Sequence, residues 1–282
     1  MPQAGTHKIL MTVDFSSVTE TDDAGLTPHA FLMNYHRYRL ALDHCEGKDV
    51  LEVACGLGQG LGLLARRARH VVGGDYTESL VRKTHAHYRD RLPLLRFDGQ
   101  AMPFRGRSFD VVILFEAIYY LPKPEDFLAE CRRILRPGGI LLLSTINPEW
   151  SDFNPSPLST HYFSASELAA LFRENGFETT LQGAFPVEKP SVRGSLVSSV
   201  KRAAVTLNLI PGSMKGKQFL KKMFYGKLIP LSPELTEGAA DYAPPETIVA
   251  GENASRYKVI YAVARPNAGQ PAPKQPQDGS DG

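Results

Sequence analysis

A glycine-rich stretch and two carboxylates lie close together in the first third of the chain. Glu52 precedes a loop with glycines at positions 56, 58 and 60, and Asp75 stands 19 residues after the first of these glycines. Glycine lacks a Cβ atom, so such a loop can adopt positive φ and let its backbone approach a ligand closely. The spacing predicts a ligand-binding turn with an acid beyond it whose two oxygens can accept hydroxyl hydrogen bonds.

The glycine pattern does not match G-x-G-x-x-G, the sequence typical of dinucleotide-binding turns. From Gly56 the third position is Leu61, and from Gly58 it is Leu63. A carboxylate at Glu52 would repel a pyrophosphate, whereas it could orient a cationic ligand or polarise the amides of the loop. A nicotinamide-dependent oxidoreductase is therefore disfavoured, although a glycine-rich loop alone does not exclude it.

The elements that must position this loop alternate along the chain. Apolar runs predict strands over 49–54, 71–75, 94–97, 109–115, 140–145, 177–185 and 256–264. Amphipathic stretches predict helices over 28–44, 58–69, 77–90, 124–136 and 164–175. This alternation is typical of a doubly wound, mostly parallel α/β sheet, which binds ligands beyond the carboxyl ends of its strands.

Composition divides the chain into three parts. We expect residues 1–27 to be a flexible lead-in, 28–265 to form one domain with an insertion at about 186–255, and the Pro/Gly/Gln-rich residues 266–282 to be disordered. Within the insertion, 189–233 carries nine Lys/Arg and no Asp/Glu, so the rest of the chain has 32 − 9 = 23 basic against 30 acidic residues. The net charge of +2 does not suggest a nucleic-acid-binding protein.

The three cysteines show no metal-binding or disulfide spacing, which fits a reducing compartment. The first 15 residues lack the apolar core of a signal peptide, and no run of about 20 apolar residues is present. We therefore expect a cytoplasmic protein without a transmembrane helix.

The motifs around the loop together resemble the class I S-adenosylmethionine-dependent methyltransferases, particularly the small-molecule, methyltransferase type 11-like branch related to ubiquinone and menaquinone biosynthesis enzymes. The resemblance covers about residues 34–185 and the last predicted strand. The matching stretches, in the family's order, are VLEVACGLGQG (50–60), GGDYTESL (73–80), FDGQAMPF (97–104), FDVVILFEAIYYL (109–121) and LAECRRILRPGGILLLSTINP (128–148). The resemblance implies a seven-stranded Rossmann-like sheet with an insertion between the last two strands, and S-adenosylmethionine as the methyl donor.

The resemblance also implies which residues hold the methionine part of that cofactor. Glu52 and the glycines at 56, 58 and 60 would do so, and Ala54 in the same stretch is a further cofactor-binding candidate.

Other residues would hold the remainder of the cofactor. Asp75 would bind the ribose with Tyr76 against the adenine, while Asp98 would face the adenine amino group beside the Gly99 amide. Glu116 would lie near the methionine amine or the acceptor pocket. Three residues of the first predicted helix would close over the cofactor: Tyr35, Arg37 and Tyr38.

The acceptor side offers fewer candidates. A sulfonium donor is already activated, so alignment and exclusion of water matter more than a base, and no triad is needed. Quinone-type relatives often carry a magnesium-binding Glu-x-x-Glu-His after the fourth strand, where this chain has Tyr119 and Tyr120. Phenols, with a pKa of about 10, are poor magnesium ligands, so we expect no metal. The two tyrosines either contact the acceptor or pack under the loop, and His161 is the candidate base, the alternative being a solvated loop histidine.

Within the basic segment 194–228, the stretch 214–225 predicts a short amphipathic helix with an apolar and a cationic face. We expect it to be a lid over the acceptor pocket, with peripheral docking on an anionic membrane or binding of a nucleic acid as alternatives. The predicted acceptor is a small or lipid-like molecule, methylated on oxygen or nitrogen. A nucleic-acid acceptor is disfavoured because Phe-Glu-Ala-Ile stands where adenine N6 enzymes have Asp/Asn-Pro-Pro-Tyr.

Overall fold

A computed structural model describes residues 13–18, 25–187 and 228–267. The basic segment 194–228, except for its last residue, lies outside the described residues, as does the tail from 268 onward. The lid, the membrane contact and the disordered tail therefore stay predictions.

Eight strands and five α-helices occur in the described residues. The strands are β1 Asp49–Val53, β2 His70–Asp75, β3 Leu94–Arg96, β4 Phe109–Phe115, β5 Leu135–Ile146, β6 Phe177–Pro186, β7 Glu246–Thr247 and β8 Tyr257–Pro266. The helices are α1 Pro28–Cys45, α2 Leu61–Leu64, α3 Glu78–Tyr88, α4 Pro124–Ile134 and α5 Ala165–Glu174.

The strands form a single sheet in the order β3-β2-β1-β4-β5-β8-β6-β7. Strands β1 to β5 pair in parallel, whereas β8 runs antiparallel to both of its neighbours, β5 and β6. The prediction of a mostly parallel, Rossmann-like α/β sheet is confirmed. Chain order reverses between β1 and β4, and such a switch point leaves a crevice beyond the carboxyl ends of the strands.

Both faces of the sheet are buried, which explains the unbroken apolar runs of its central strands. Leu51 and Val112 belong to a core cluster with α4 and α5, while Val50 and Val111 belong to a second cluster with α1 and α2. Neighbouring side chains on one strand point to opposite faces, so a single strand serves both clusters.

Local signals set the helix starts. Thr27 caps α1 by accepting a hydrogen bond from the Ala30 amide, and Pro28 occupies the first helical position. The capping box of α5 is present: the Glu167 amide donates to the Ser164 hydroxyl, and the Ser164 amide donates to the Glu167 carboxylate.

Three local predictions were wrong. Helix 58–69 shrinks to the single turn of α2, because the residues before it follow the contacts of Gly58 with Tyr88 and of Gly60 with Tyr38. Helix α4 ends at Ile134, and the Pro-Gly-Gly that follows lies inside β5 at a register shift instead of outside the sheet. The sheet also has eight strands instead of seven, since the two exposed residues of β7 add to the edge of β6. Two residues are too few to show a strand period.

Described residues beyond both predicted ends of the domain contact it. Residues 13–18, assigned to the flexible lead-in, contain a 3-10 turn over Phe15–Ser17, and the Phe15 amide lies 3.3 Å from the Thr77 hydroxyl. Pro266, assigned to the tail, pairs with Phe177 in the sheet. No helix among the described residues is long and apolar enough to cross a bilayer.

Candidate functional site

A cavity of about 530 Å³ opens at the switch point, beyond the carboxyl ends of β1, β2 and β4. Its volume falls in the range typical of small-molecule sites, about 300–1,000 Å³. Helix α1 covers one side, and residues 13–18 and the loop after β5 contribute to its wall. The cavity is thus closed by elements that come from both ends of the domain.

The turn after β1 forms one wall of this cavity. Residues 53–57 line it, and both Ala54 and Gly56 have φ of 57°. Positive φ is costly for alanine and marks a conformation held by its surroundings. Asp75 supplies part of that support, because its Oδ2 accepts the Gly56 amide at 2.9 Å and its Oδ1 accepts the Thr77 amide at 2.8 Å.

Asp75 is 6% exposed. Burial raises the pKa of its carboxyl group, while the amide donors of Thr77 and Gly56 act in the opposite direction. Each carboxylate oxygen can accept a second hydrogen bond. Asp75 can therefore hold the turn and still accept hydroxyl donors from a ligand in the cavity, which it lines.

Helix α3 supports the same turn from beneath. The Thr84 hydroxyl donates to the Gly56 carbonyl at 2.9 Å, and the Tyr88 hydroxyl donates to the Gly58 carbonyl at 2.7 Å. Tyr88 also accepts the Gly62 amide at 3.0 Å. Gly58 and the glycine at 60 do not line the cavity; a Cβ at Gly58 would lie 2.5 Å from Thr84 Cγ2. The glycine at 58 thus serves packing on α3.

Glu52 and Tyr38 form a buried pair behind the turn. The Tyr38 hydroxyl donates to Glu52 Oε1 at 2.6 Å, and the Tyr38 ring lies over Gly60 so closely that a Cβ there would be 1.8 Å from Cε1. Glu52 is 1% exposed and Glu52 Oε2 has no hydrogen-bond partner. Burial raises the pKa of Glu52 to about 7, against the opposing effect of the Tyr38 hydrogen bond. Tyr38 lines the cavity, whereas Glu52 lies behind the lining.

The β2–β3 side of the cavity carries the other polar groups. Tyr76, Asp98 and Gly99 all line it. Asp98 Oδ1 accepts the Gln100 amide at 2.8 Å, which fixes the turn after β3. This side therefore places an aromatic ring and a carboxylate in the cavity wall, two groups that a purine can contact.

The opposite side follows β4 and is mainly aromatic. Glu116 has φ of 52°, and its Oε1 accepts the Ser144 hydroxyl at 3.0 Å. Tyr119 and Tyr120 line the cavity beside it. Burial raises the pKa of both phenols, so both stay neutral near pH 7 and can donate hydrogen bonds but not act as bases.

Besides Glu52 and the glycines at 58 and 60, two further predicted residues do not line the cavity. The His161 side chain is 56% exposed and its Nε2 lies 3.5 Å from Glu167, whereas its neighbour Thr160 lines the cavity. The geometry gives His161 no access to an acceptor, so its role as a base remains a prediction without structural support. Tyr35 instead accepts the Gly238 amide at 3.0 Å with its hydroxyl, outside the lining.

Several lining residues escaped the sequence prediction. They are the cavity-lining side chains of Phe15, Asn34, Gln59, Gln100, Thr160 and Tyr261. Gln59 lies within the glycine-rich stretch, so its position was visible although its role was not. The others come from separate parts of the chain: a turn, a helix, loops and the last strand. They meet only in the folded protein, so no local pattern predicts them.

Comparison with known proteins assigns this architecture. Residues 51–143 match the family model described as a methyltransferase domain. This stretch is therefore similar to a methyltransferase domain. It contains the turn after β1, Asp75, Asp98 and the start of the β4 side, which are the parts that line most of the cavity.

Relatives of the methyltransferase domain occur in mycobacteria. A Mycolicibacterium smegmatis protein named a probable S-adenosylmethionine-dependent methyltransferase is 36% identical over 162 residues, 55% of this chain and 62% of that protein. The Mycobacterium ulcerans phthiotriol/phenolphthiotriol dimycocerosates methyltransferase 1 is 38% identical over 133 residues, 44% of this chain and 49% of that protein. The chain thus matches about half to three-fifths of the length of these curated relatives.

Solved structures extend the likeness of fold. The [4+2]-cyclase SpnF is 17% identical, with a TM-score of 0.53 over 89% of this chain and 86% of that one. Since a cyclase has this fold, the fold alone does not specify the reaction.

Proposed function

We propose that this protein is an S-adenosylmethionine-dependent methyltransferase that acts on an apolar, lipid-like or other small acceptor. The observation that carries the proposal is the cavity at the switch point, where Asp75 holds the turn after β1 and faces the ligand space. The cofactor, when bound, supplies a methyl group on a sulfonium that is already activated for transfer.

The residues present fit this cofactor. The backbone at Ala54 and Gly56 would hold its methionine part, together with the charge of Glu52, whose unpaired oxygen gives a buried acceptor for a cationic group close by. Asp75 would bind the ribose hydroxyls, and Tyr76 and Asp98 would flank the adenine. Helix α1 would close over the ligand through Tyr38.

An apolar acceptor is supported by the lining of the β4 side. Phe15, Tyr119, Tyr120 and Leu158 all line the cavity, and Phe15 packs on Tyr120 with ring centroids 5.2 Å apart. Among the described residues, three large hydrophobic side chains are well exposed, and two of them, Val13 (37%) and Leu158 (49%), belong to this lining. Exposed apolar side chains at a cavity suit an apolar ligand better than a nucleic acid. The name of the Mycobacterium ulcerans relative also indicates a lipid-like acceptor for that protein.

Calorimetry with S-adenosylhomocysteine tests cofactor binding. We expect the full chain to bind it and Asp75→Ala to weaken binding by about tenfold or more, because a buried acceptor of two ligand hydroxyls and the Gly56 amide is lost. Asp90→Ala removes an exposed acid and is the matched control. No binding by the wild-type protein at high micromolar concentration would refute the proposal.

Transfer itself is tested by release of S-adenosylhomocysteine from S-adenosylmethionine. Suitable probes are a long-chain alcohol, a long-chain phenol, an amine of equal chain length and a structured RNA. We expect transfer to the apolar probes without added metal. Transfer to RNA alone would favour the nucleic-acid alternative, and cofactor binding without any transfer would favour a non-transferase role of the kind that the fold likeness to a cyclase allows.

A further inference from the structure

Residues 228–245, which we call the strap, cross the outside of the domain far from the glycine-rich turn in sequence. Leu26 and Ile229 join its beginning to the N-terminal side by two backbone hydrogen bonds of 2.7 and 2.8 Å. Leu235 is 3% exposed within the core cluster that contains α1 and α2. Farther along, the Asp241 carbonyl lies 2.9 Å from His36 Nε2. The strap is therefore packed and hydrogen-bonded along its length.

Two glutamates connect the strap to α3 and to the residues that follow α2 and α3. Glu234 pairs with His87 of α3 at 2.7 Å and with Arg91 at 2.5 Å. Its side chain passes so close to Gly62 that a Cβ there would lie 2.0 Å from Oε2. Glu237 pairs with Arg67 at 2.7 Å, where both side chains are more than 40% exposed. The exposed pair contributes little, whereas the approach at Gly62 fixes the strap beside the turn.

Gln59 connects the strap to the cavity. It lines the cavity, is 8% exposed and stands between two of the turn's glycines. Its Oε1 accepts the Asn34 side-chain amide of α1 at 2.7 Å, and its Nε2 donates to the Ser232 carbonyl, 173 residues later, at 3.2 Å. Its own carbonyl accepts the Leu235 amide at 2.8 Å. One residue of the turn is thus bound to α1 on one side and to the strap on the other.

The chemistry of this contact requires an amide. Asn34 donates and the Ser232 carbonyl accepts, so the side chain between them must offer one acceptor and one donor. A carboxylate could accept from Asn34 but would have no proton for the Ser232 carbonyl, and an alanine would leave the buried Asn34 side-chain amide without this acceptor. Gln59 meets these needs and points its side chain along the cavity wall.

We propose that Gln59 is a positioning residue for the cofactor. Because Gln59 is bound to the strap, the strap is also a part of the cofactor site. This inference rests on the proposed function. The turn after β1 carries the backbone that faces the ligand, and Gln59 holds that turn against α1, which closes the cavity. Preorganisation of this kind lowers the free-energy cost of ordering the wall when the ligand binds.

The test measures S-adenosylhomocysteine affinity of the full chain by calorimetry for Gln59→Ala, Gln59→Glu and Asn34→Ala, with melting temperatures of the ligand-free proteins alongside. Each is expected to weaken binding roughly 5- to 50-fold at a temperature where the protein is fully folded, because each variant loses a hydrogen bond that holds the turn against α1 or against the strap. Arg67→Ala, which cuts the exposed pair with Glu237, is the control and should bind like wild type.

A double-mutant cycle separates positioning from general loss of stability. If Gln59 and Asn34 act through each other, the double variant binds no more weakly than the worse single variant. Affinities of all three variants within twofold of wild type, or lower melting temperatures without a change in affinity, would overturn the inference. Should Gln59→Ala fail to fold, Gln59→Glu and Asn34→Ala carry the test. Failure of the wild-type protein to bind would instead count against the proposed function.

Discussion

Under the proposed function, burial of Glu52 would link the stability of the domain to the binding of its ligand. Its carboxyl group has one hydrogen-bond donor, the Tyr38 hydroxyl, and Oε2 has none. Burial raises the pKa to about 7, so near neutral pH the group is divided between its charged and uncharged forms. A buried carboxylate without enough partners is unfavourable. A cationic ligand group nearby would favour the charged form. Binding of such a ligand would then relieve a cost that lowers the stability of the ligand-free protein.

We expect Glu52→Gln to change how the stability of the ligand-free protein depends on pH. An acid whose pKa is higher in the folded than in the unfolded state stabilises the fold at low pH and loses that contribution as pH rises through the folded value. In the wild type this loss runs from about pH 4.5 to beyond pH 7 and amounts to about 2–4 kcal/mol. Glutamine cannot ionise, so Glu52→Gln should gain stability relative to wild type between pH 5.5 and pH 8.5, while binding S-adenosylhomocysteine more weakly.

Urea unfolding at pH 5.5 and pH 8.5 measures this difference. Glu174→Gln makes the same chemical change on a side chain that is 70% exposed, and it is the matched control. Parallel pH profiles for wild type and Glu52→Gln would show that Glu52 does not titrate in this range.

How far single residues can be predicted from sequence depends on whether a regular element fixes their direction. Asp75 follows from a strand end, and the structure places it at the cavity. His161 and Thr160 are neighbours in a loop, where no period says which side chain points inward, and the cavity takes Thr160. Thr84 and Tyr88 lie four residues apart on one face of a predicted helix. The sequence does not say which loop this face contacts, and the structure shows that it is the glycine-rich turn.

At the scale of elements, the glycine-rich turn is held from three sides. Helix α1 covers it through the Tyr38 ring, α3 supports it from beneath, and the strap meets it through Gln59. Tyr38 also contacts Phe115 at the end of β4, with ring centroids 5.5 Å apart. The position of α1 over the cavity therefore depends on how closely one ring can approach one glycine.

Gly60→Ala should force α1 away from the turn. The new Cβ would lie 1.8 Å from Tyr38 Cε1, far inside van der Waals contact, so the ring and its helix must move. We expect a loss of about 1–3 kcal/mol in unfolding free energy, the usual cost of overpacking. Binding of S-adenosylhomocysteine should weaken at the same time, because Tyr38 lines the cavity.

A second background makes the cause testable. In Tyr38→Ala the ring is gone, so adding Gly60→Ala to it should cost little further stability by thermal or urea unfolding. An equal cost of Gly60→Ala in both backgrounds would mean that the Tyr38 ring is not what makes glycine necessary at this position.

Prediction was weakest where local pattern and packing disagree. The stretch 58–69 has apolar residues at helical spacing, yet only Leu61–Leu64 is helical, since the turn must follow its contacts with Tyr38 and Tyr88. By contrast, α5 has a capping box that acts within one turn, and its predicted start was correct. Signals that act within a few residues survive folding better than a period that tertiary contacts can override.

At the scale of the whole molecule, the two ends of the parallel strands have different roles. The carboxyl ends surround the cavity, while the amino ends carry a charge network around Asp49 at the start of β1. The alternation of strands and helices was enough to predict the sheet and the edge on which the cavity lies. It could not predict the antiparallel insertion of β8 between β5 and β6, because that depends on residues more than a hundred positions apart in the chain.

Asp49 joins four strands at the amino edge. Its carboxylate accepts from Arg69 at 2.5 and 2.8 Å and from His70 at 2.8 Å, and it pairs with Arg136 of β5 at 2.7 Å; Arg136 also pairs with Asp110 of β4. The Asp49 side chain is 14% exposed, so solvent screens these contacts only in part. The Arg69 hydrogen bonds, followed by those of His70 and Arg136, hold the pKa of this carboxyl well below its ordinary value.

Asp49→Asn should therefore destabilise the domain without affecting the ligand site. Near pH 7 we expect a loss of about 1–3 kcal/mol in unfolding free energy, as for a charged hydrogen-bonded partner. Because the pKa of Asp49 is lower in the folded than in the unfolded state, the ionised group stabilises the fold above the unfolded pKa, and this contribution is lost as pH falls through the folded pKa. The difference in unfolding free energy between wild type and Asp49→Asn should therefore narrow below about pH 4. Urea unfolding between pH 3 and pH 7 measures this difference in unfolding free energy. The affinity of Asp49→Asn for S-adenosylhomocysteine at pH 7 should match that of the wild type, because the network lies at the opposite edge of the sheet from the cavity. A weakened affinity in protein that is still fully folded would mean that the two edges are coupled through β1.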